Sequence, residues 1–297
     1  MRIGITDSGT GGLSVCAEVE AGLRQAPTGQ DIEVLYLNAA LQDDYSYNAM
    51  PSREAKLEAF DRFLQNVRDR YRPDILFIAC NSLSVLFEDP CFDPYRDIPI
   101  EGIVEAGAAQ LTRALDKHPA SSFIVFATPT TVEEGTYLKI LQQHGASGAQ
   151  VVQQACPGLP DAISNDFSGA QARELLNHYV PEALSRFDSM PARVQAFLGC
   201  THYGYQAGVF ADLLARTVDQ VDVLNPNRAA ATDILGRIEA IPGQGKLSYR
   251  FISPYAVPDK PLRSLSHYLG DKAPATVAAL QGFEVDTGLY GKLASGL

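Results

Sequence analysis

Val194-Gln195-Ala196-Phe197-Leu198-Gly199-Cys200-Thr201-His202-Tyr203 begins as a short apolar run, stops at a glycine, then presents a thiol, a hydroxyl and an imidazole in consecutive positions. A short apolar run bounded by a turn signal reads as a buried strand, and in an α/β sheet ligands bind at the carboxyl ends of the strands. Cysteine acts as a base or nucleophile through its thiolate, and a neighbouring imidazole can take or hold the proton. A buried structural cysteine beside a surface histidine has the same local pattern. The repetition of the pattern separates the two readings. Asp74-Ile75-Leu76-Phe77-Ile78-Ala79-Cys80-Asn81-Ser82 is built alike: apolar run, small residue, cysteine, then two short polar residues. Two matched strand-end thiols point to two halves of one chain facing each other.

At 297 residues the chain can bury one large core or two ordinary ones. No stretch reaches the eighteen or so apolar residues of a membrane span, and the start, Arg2-Ile3-Gly4-Ile5-Thr6, lacks the shape of a signal peptide. A cytoplasmic location and no membrane partner are therefore expected. The net charge of −11 argues against general nucleic-acid binding, which needs clustered Lys and Arg. Five cysteines, with no C-x-x-C spacing, suggest neither a disulfide framework nor a zinc site, so no metal is expected. Cys16 falls on the apolar face of a helix, and Cys91 and Cys156 lie in proline-flanked turns, so all three read as packing or incidental residues. His118, His144, His178 and His267 read as helix-end or polar-face residues.

Outward from the two thiol segments, strands and helices alternate. Ile3–Thr6 reads as the first strand, running through Asp7-Ser8-Gly9-Thr10-Gly11-Gly12 into a helix from Leu13. That turn suits an anion but is not G-x-G-x-x-G, and no Walker lysine follows. Asp7 and Ser8 put a carboxylate and a hydroxyl at a strand end. A strand at Glu33–Leu37, a Tyr-rich loop from Asn38 to Pro51 and a helix from Ser52 to about Tyr71 come next. Asp89-Pro90, Asp93-Pro94 and Ile98-Pro99 mark a loop-rich crossing where a domain boundary is plausible. A second set of units starts at Glu101: a helix to Lys117, a strand at Phe123–Ala127, the turn Thr128-Pro129-Thr130-Thr131, a helix over about Val132–His144 and a short strand at Val151. A helix from Gln171 to Phe187, strands at Val221–Leu224 and Leu247–Ile252, and a helix from Asn227 complete the pattern. Alternating strands and helices imply parallel sheets covered on both faces.

Ile5-Thr6-Asp7-Ser8-Gly9-Thr10-Gly11-Gly12-Leu13, Ile78-Ala79-Cys80-Asn81-Ser82, Ala127-Thr128-Pro129-Thr130-Thr131, Ala155-Cys156-Pro157-Gly158 and Leu198-Gly199-Cys200-Thr201-His202-Tyr203 together resemble glutamate racemase of the aspartate/glutamate racemase superfamily. The resemblance implies an α/β fold with two pseudo-symmetric parallel-sheet domains and the active site in the cleft between them. Residues 1–98 plus 208–297 would form the first domain and 99–207 the second. It implies a racemase without cofactor, acting on glutamate or a related acidic amino acid as its small-molecule substrate. One cysteine removes the α-proton and the other returns a proton to the opposite face. On this likeness Cys80 serves the D-enantiomer and Cys200 the L-enantiomer, with Asp7 tuning Cys80 and His202 assisting Cys200. Ser8, Asn81, Ser82, Thr128, Thr130, Thr131 and Thr201 would hold the substrate.

The chain departs from the pattern where a side chain would be chosen. Glutamate racemases carry Pro-Tyr-Gly before the second helix; here Tyr47-Asn48-Ala49 takes that place, so Tyr47 and Asn48 are further candidate substrate contacts. The acidic residue expected beyond Cys-Pro-Gly aligns near Ser164, with Asp161 and Asp166 as stand-ins, and Asn225-Pro226-Asn227 replaces an acidic-small-polar turn. These changes leave open an isomerase acting on another small carboxylate, or a non-catalytic amino-acid binder. The closing segment 243–297 either covers a sheet edge or contributes to a homodimer.

Overall fold

A computed structural model describes residues 1–43, 45–95 and 99–291; Asp44, residues 96–98 and residues 292–297 lie outside the described residues, and with them Ile98 of the crossing and the end of the closing segment. The strands are β1 (Arg2–Asp7), β2 (Ile32–Asn38), β3 (Ile75–Ile78), β4 (Ile100–Gly102), β5 (Ser122–Ala127), β6 (Val151–Ala155), β7 (Arg193–Gly199), β8 (Gln220–Leu224), β9 (Leu247–Ser253) and β10 (Glu284–Val285). They form a six-stranded sheet of order β10-β9-β2-β1-β3-β4 and a four-stranded sheet of order β6-β5-β7-β8, with every pair parallel. This is the expected α/β architecture of two parallel sheets.

The strands read as unbroken apolar runs because helices cover both faces of each sheet. In β2, Val34 and Tyr36 pack on one face with Val15 and Val19 of the helix Leu13–Gln25, while Leu35 and Leu37 pack on the other with Phe60 and Phe63 of the helix Arg53–Asn66. In β5, Ile124 and Phe126 meet Leu176 and Val180 of the helix Ala170–Leu184, and Phe123 and Val125 meet Leu111 of the helix Ile103–Lys117. The period-two alternation of a strand thus feeds two cores at once.

Sheet membership does not follow the 98/99 and 207/208 divisions. β4 pairs with β3 as an edge of the six-stranded sheet, and β8 pairs with β7 as an edge of the four-stranded one. Three local readings also change. The helix expected from Ser52 to Tyr71 is α-helical from Arg53 to Asn66, then turns π-helical over Val67–Tyr71 and ends at Arg72 in the left-handed region, φ 47°. Pro73 follows, and a residue before proline is driven out of the right-handed helical region. The helix expected over 132–144 is two helices, Pro129–Glu134 and Thr136–Gln143, divided at Gly135 with φ 66°. A short helix, Leu159–Asn165, follows the Cys156-Pro157-Gly158 turn, where the sequence predicts no helix.

Candidate active site

Both thiols stand where a strand hands over to a helix. Cys80 follows Ala79 after β3 and precedes the helix Asn81–Leu86; Cys200 follows β7 and precedes the 3-10 turn Thr201–Gln206. Both line one cleft of about 530 Å³ between the carboxyl edges of the two sheets, within the size range of small-molecule sites. Each has its own polar neighbour: Ser8 Oγ lies 3.1 Å from Cys80 Sγ, and His202 Nδ1 lies 3.8 Å from Cys200 Sγ.

Burial sets the resting charge state. It pushes the Cys80 thiol up to about 12, reinforced by the Asp7 carboxylate and opposed by the Ser8 hydroxyl. Cys200 is pushed well above the ordinary thiol range by burial and then by Asp7, against the His202 backbone N–H. Without ligand both sulfurs are therefore protonated at neutral pH. Desolvation lowers His202 to about 4, so its imidazole is neutral and one ring nitrogen can accept a proton. Asp7 is raised to about 7 by burial, against hydrogen bonds from the Thr201 hydroxyl at 2.8 Å and the Gly9 and Gly12 amides. The carboxylate at the end of β1 thus touches the residue beside Cys200 and bears electrostatically on both thiols.

Two side-chain economies bring the loops together. A Cβ at Gly11 would collide with Thr201 Oγ1 and His202 Nδ1, so glycine at this position permits the turn after β1 to approach the turn after β7. Asn227 Nδ2 donates to Ser14 Oγ at 2.8 Å and to the Thr201 carbonyl at 2.9 Å, tying the start of the helix Leu13–Gln25 to the turn after β7 from a third segment.

Polar side chains line the opposite wall. Asn81 accepts from the Tyr137 hydroxyl at 2.5 Å through Oδ1, which leaves its buried Nδ2 without a partner among the described residues. The hydroxyls of Ser82 and Thr128 lie 2.7 Å apart, and Thr131 closes the triangle at 3.4 and 3.2 Å. Ser8, Asn48, Asn81, Ser82, Thr128 and Thr201 line the cleft. Thr130 and Thr131 do not: Thr131 backs the hydroxyl triangle, and Thr130 donates its hydroxyl and amide to Asn48 Oδ1 at 2.8 and 3.2 Å. Tyr47, expected as a substrate contact, is turned away. It is fully buried against Phe60, with its hydroxyl 3.1 Å from that of Tyr290, because in the turn Tyr47–Ala49 the apolar ring takes the core side and Asn48 the cleft.

Residues 3–234 match the family model described as Asp/Glu/Hydantoin racemase. The chain belongs to the Asp/Glu/hydantoin racemase family. Its enzymatic class is that of a racemase. Similar proteins include the glutamate racemase of Aquifex pyrophilus, 28% identical over 204 residues that cover 68% of this chain and 71% of the relative. The glutamate racemase of Clostridium perfringens strain 13 is 28% identical over 225 residues, covering 74% and 77%. Two solved structures share the fold: glutamate racemase from Bacillus anthracis (TM-score 0.69, 22% identity, covering 91% and 94%) and from Francisella tularensis in complex with D-glutamate (TM-score 0.69, 21% identity, covering 96% and 97%). No described helix is long and apolar enough to cross a membrane.

Several residues in or behind the cleft carried no sequence signal. Tyr137 sits on an amphipathic helix and reads as core, yet its hydroxyl fixes Asn81. Tyr255, Val257, Pro258 and Pro261 come from the closing segment and line the cleft although they lie far beyond Cys200 in the chain. Of the two stand-in acids, Asp161 lines the cleft with Ser164, while Asp166 caps its own loop through Ser168 and the Gln171 amide. Cys156 also lines the cleft, which its reading as a packing residue did not anticipate, but it is fully buried with Sγ 3.6 Å from the Gln154 carbonyl. Cys16 is in the core and Cys91 is exposed.

Proposed function

We propose that the chain racemises an α-amino acid by two-base proton transfer, with Cys80 and Cys200 as the bases and neither pyridoxal phosphate nor metal involved. The observation that carries the reading is a pair of buried, separately partnered thiols lining one cleft, each at the end of a strand in a different sheet. A bound amino acid brings an ammonium and a carboxylate into a site whose two thiols and His202 imidazole are neutral at rest. Burial, and after it the Asp7 charge, keeps the thiols protonated; the ammonium beside Asp7 offsets that charge, and His202 takes the Cys200 proton in the L-to-D direction. The thiolate removes the α-hydrogen, and the released electron pair moves into the carboxylate. Asn81 Nδ2 and the Ser82 and Thr128 hydroxyls receive the growing negative charge. The opposite thiol then delivers its proton to the other face. Cys80 serves the D-enantiomer and Cys200 the L-enantiomer, as in the resemblance to glutamate racemase, and glutamate is the first substrate to assay.

The test is proton NMR in deuterated water with wild type, Cys80→Ser and Cys200→Ser. Wild type exchanges the α-proton of both enantiomers. Each single variant loses net racemisation by about 100-fold or more, the scale expected for removing an acid–base group. Racemisation that survives in either variant overturns the two-base mechanism.

A further inference from the structure

Lys56 is a buried charge that the proton transfer does not use. It lies on the helix Arg53–Asn66, 7% exposed, with its ammonium 2.9 Å from Thr130 Oγ1 and 3.7 Å from Glu133. Burying an ammonium is costly, so the contact that holds it there needs a reason. Docking one domain on the other is not a sufficient one. The Glu133 side chain is largely exposed, and an ion pair at that distance in water contributes little. Arg53 on the same helix already makes the crossing, with Glu134 at 2.7 and 3.3 Å and Asp89 at 2.7 Å.

The contact with Thr130 sets the direction of a hydrogen-bond chain. An ammonium can only donate, so Thr130 Oγ1 accepts from Lys56 and turns its own proton to Asn48 Oδ1, 2.8 Å away. The Thr130 amide donates to the same oxygen at 3.2 Å. With two donors on one side, the Asn48 amide has one orientation: oxygen toward Thr130, Nδ2 toward the opposite side. Nδ2 makes no hydrogen bond among the described residues, and Asn48 lines the cleft. The ammonium polarises the hydroxyl and the hydroxyl polarises the amide carbonyl, so each link strengthens the next and Nδ2–H becomes a better donor.

The chain of contacts spans both domains. Asn48 sits in the turn Tyr47–Ala49 beyond β2, and Thr130 in the helix Pro129–Glu134 after β5. A donor fixed in this way suits the one kind of acceptor that every α-amino acid carries, a carboxylate oxygen.

We propose that Asn48 Nδ2 donates to a carboxylate of the substrate, and that Thr130 and Lys56 are positioning residues that hold the amide in that sense. The proposal rests on the racemase reading of the same cleft. Its test measures α-proton exchange in deuterated water, with kcat and KM obtained separately for the amino acid that wild type exchanges and folding checked by circular dichroism. Asn48→Asp keeps an acceptor for both Thr130 donors and puts an oxygen where Nδ2 was, so KM is expected to rise about tenfold or more with kcat little changed. Thr130→Val and Lys56→Met each raise KM about threefold or more, while Thr130→Ser, which keeps the hydroxyl, behaves as wild type. Glu133→Gln loses only the ion pair and leaves KM within about twofold. In an Asn48→Ala background Lys56→Met adds less than about twofold, because the group it acts through is gone. An unchanged or lower KM in Asn48→Asp, or a Lys56→Met effect that is the same with and without Asn48, overturns the assignment and leaves the racemase reading intact. No exchange by folded wild type across a wide amino-acid panel overturns both.

Discussion

At the scale of single residues, burial turns ordinary side chains into unusual acids and bases. His202 titrates at about 4 in the folded chain against an ordinary 6.5, so between those values the folded state binds fewer protons than the unfolded one. Its contribution to stability is present above pH 6.5 and is lost as pH falls through 4. Asp7 works the other way: folded near 7 against 3.8, it favours the fold at low pH and loses that contribution as pH rises toward 7. The two oppose one another in the acid range, and removing His202 exposes the difference. Urea unfolding at pH 7 and pH 4 is expected to show His202→Gln losing about 3 kcal/mol less than wild type over that interval. Equal losses in both proteins would show that the imidazole is not held neutral by the fold.

At the scale of elements, the decisive contact is between two turns that leave different sheets. The Asp7–Gly12 turn after β1 reaches the Thr201–His202 turn after β7 only because position 11 has no side chain. Gly11→Ala drives the turns apart at the point where Asp7 meets Thr201. A displacement of about 1 Å in a catalytic group can lower the rate by 100-fold, and a loss of that order is expected here with the fold retained. Circular dichroism and exchange rates on the same sample check it; near-normal exchange in the variant would mean the turns can relax. This requirement was visible in sequence only as a glycine-rich turn of the anion-binding kind. The start of the helix at Ser52 was legible as well, since what sets it is local: Ser52 accepts from the Ala55 amide and the helix begins at Arg53. The break at Gly135 was not, because a glycine inside a helical pattern stops the helix only when neighbouring packing favours the left-handed turn.

At the scale of the whole molecule, the cleft is assembled from segments scattered along the chain, so ligand binding and folding are linked. Most hydrogen-bonding groups of the lining are not thiols. The double variant Cys80→Ser/Cys200→Ser is therefore expected to keep its ligand while losing chemistry. At about 100 times the dissociation constant, the amino acid that wild type exchanges should stabilise the variant by about 2.7 kcal/mol, read as a rise in Tm. An unshifted Tm at saturating ligand would indicate that the thiols themselves hold the substrate.

The amino-acid sequence by itself determined the alternation of strands and helices, the strand ends that carry Asp7, Cys80, Thr128 and Cys200, and the resemblance that the family match bears out. Those features are local: apolar runs, turn residues and short motifs act within a few residues of themselves. Only the tertiary structure decided which sheet takes β4 and β8, that Asn48 rather than Tyr47 faces the cleft, and that Asp161 rather than Asp166 does. A loop side chain turns toward whichever partner satisfies it, and for Tyr47 that partner is Tyr290, far along the chain. Asp7 meets Thr201 across a comparable separation. No local pattern encodes such pairings, because they exist only once both sheets have closed around one cleft.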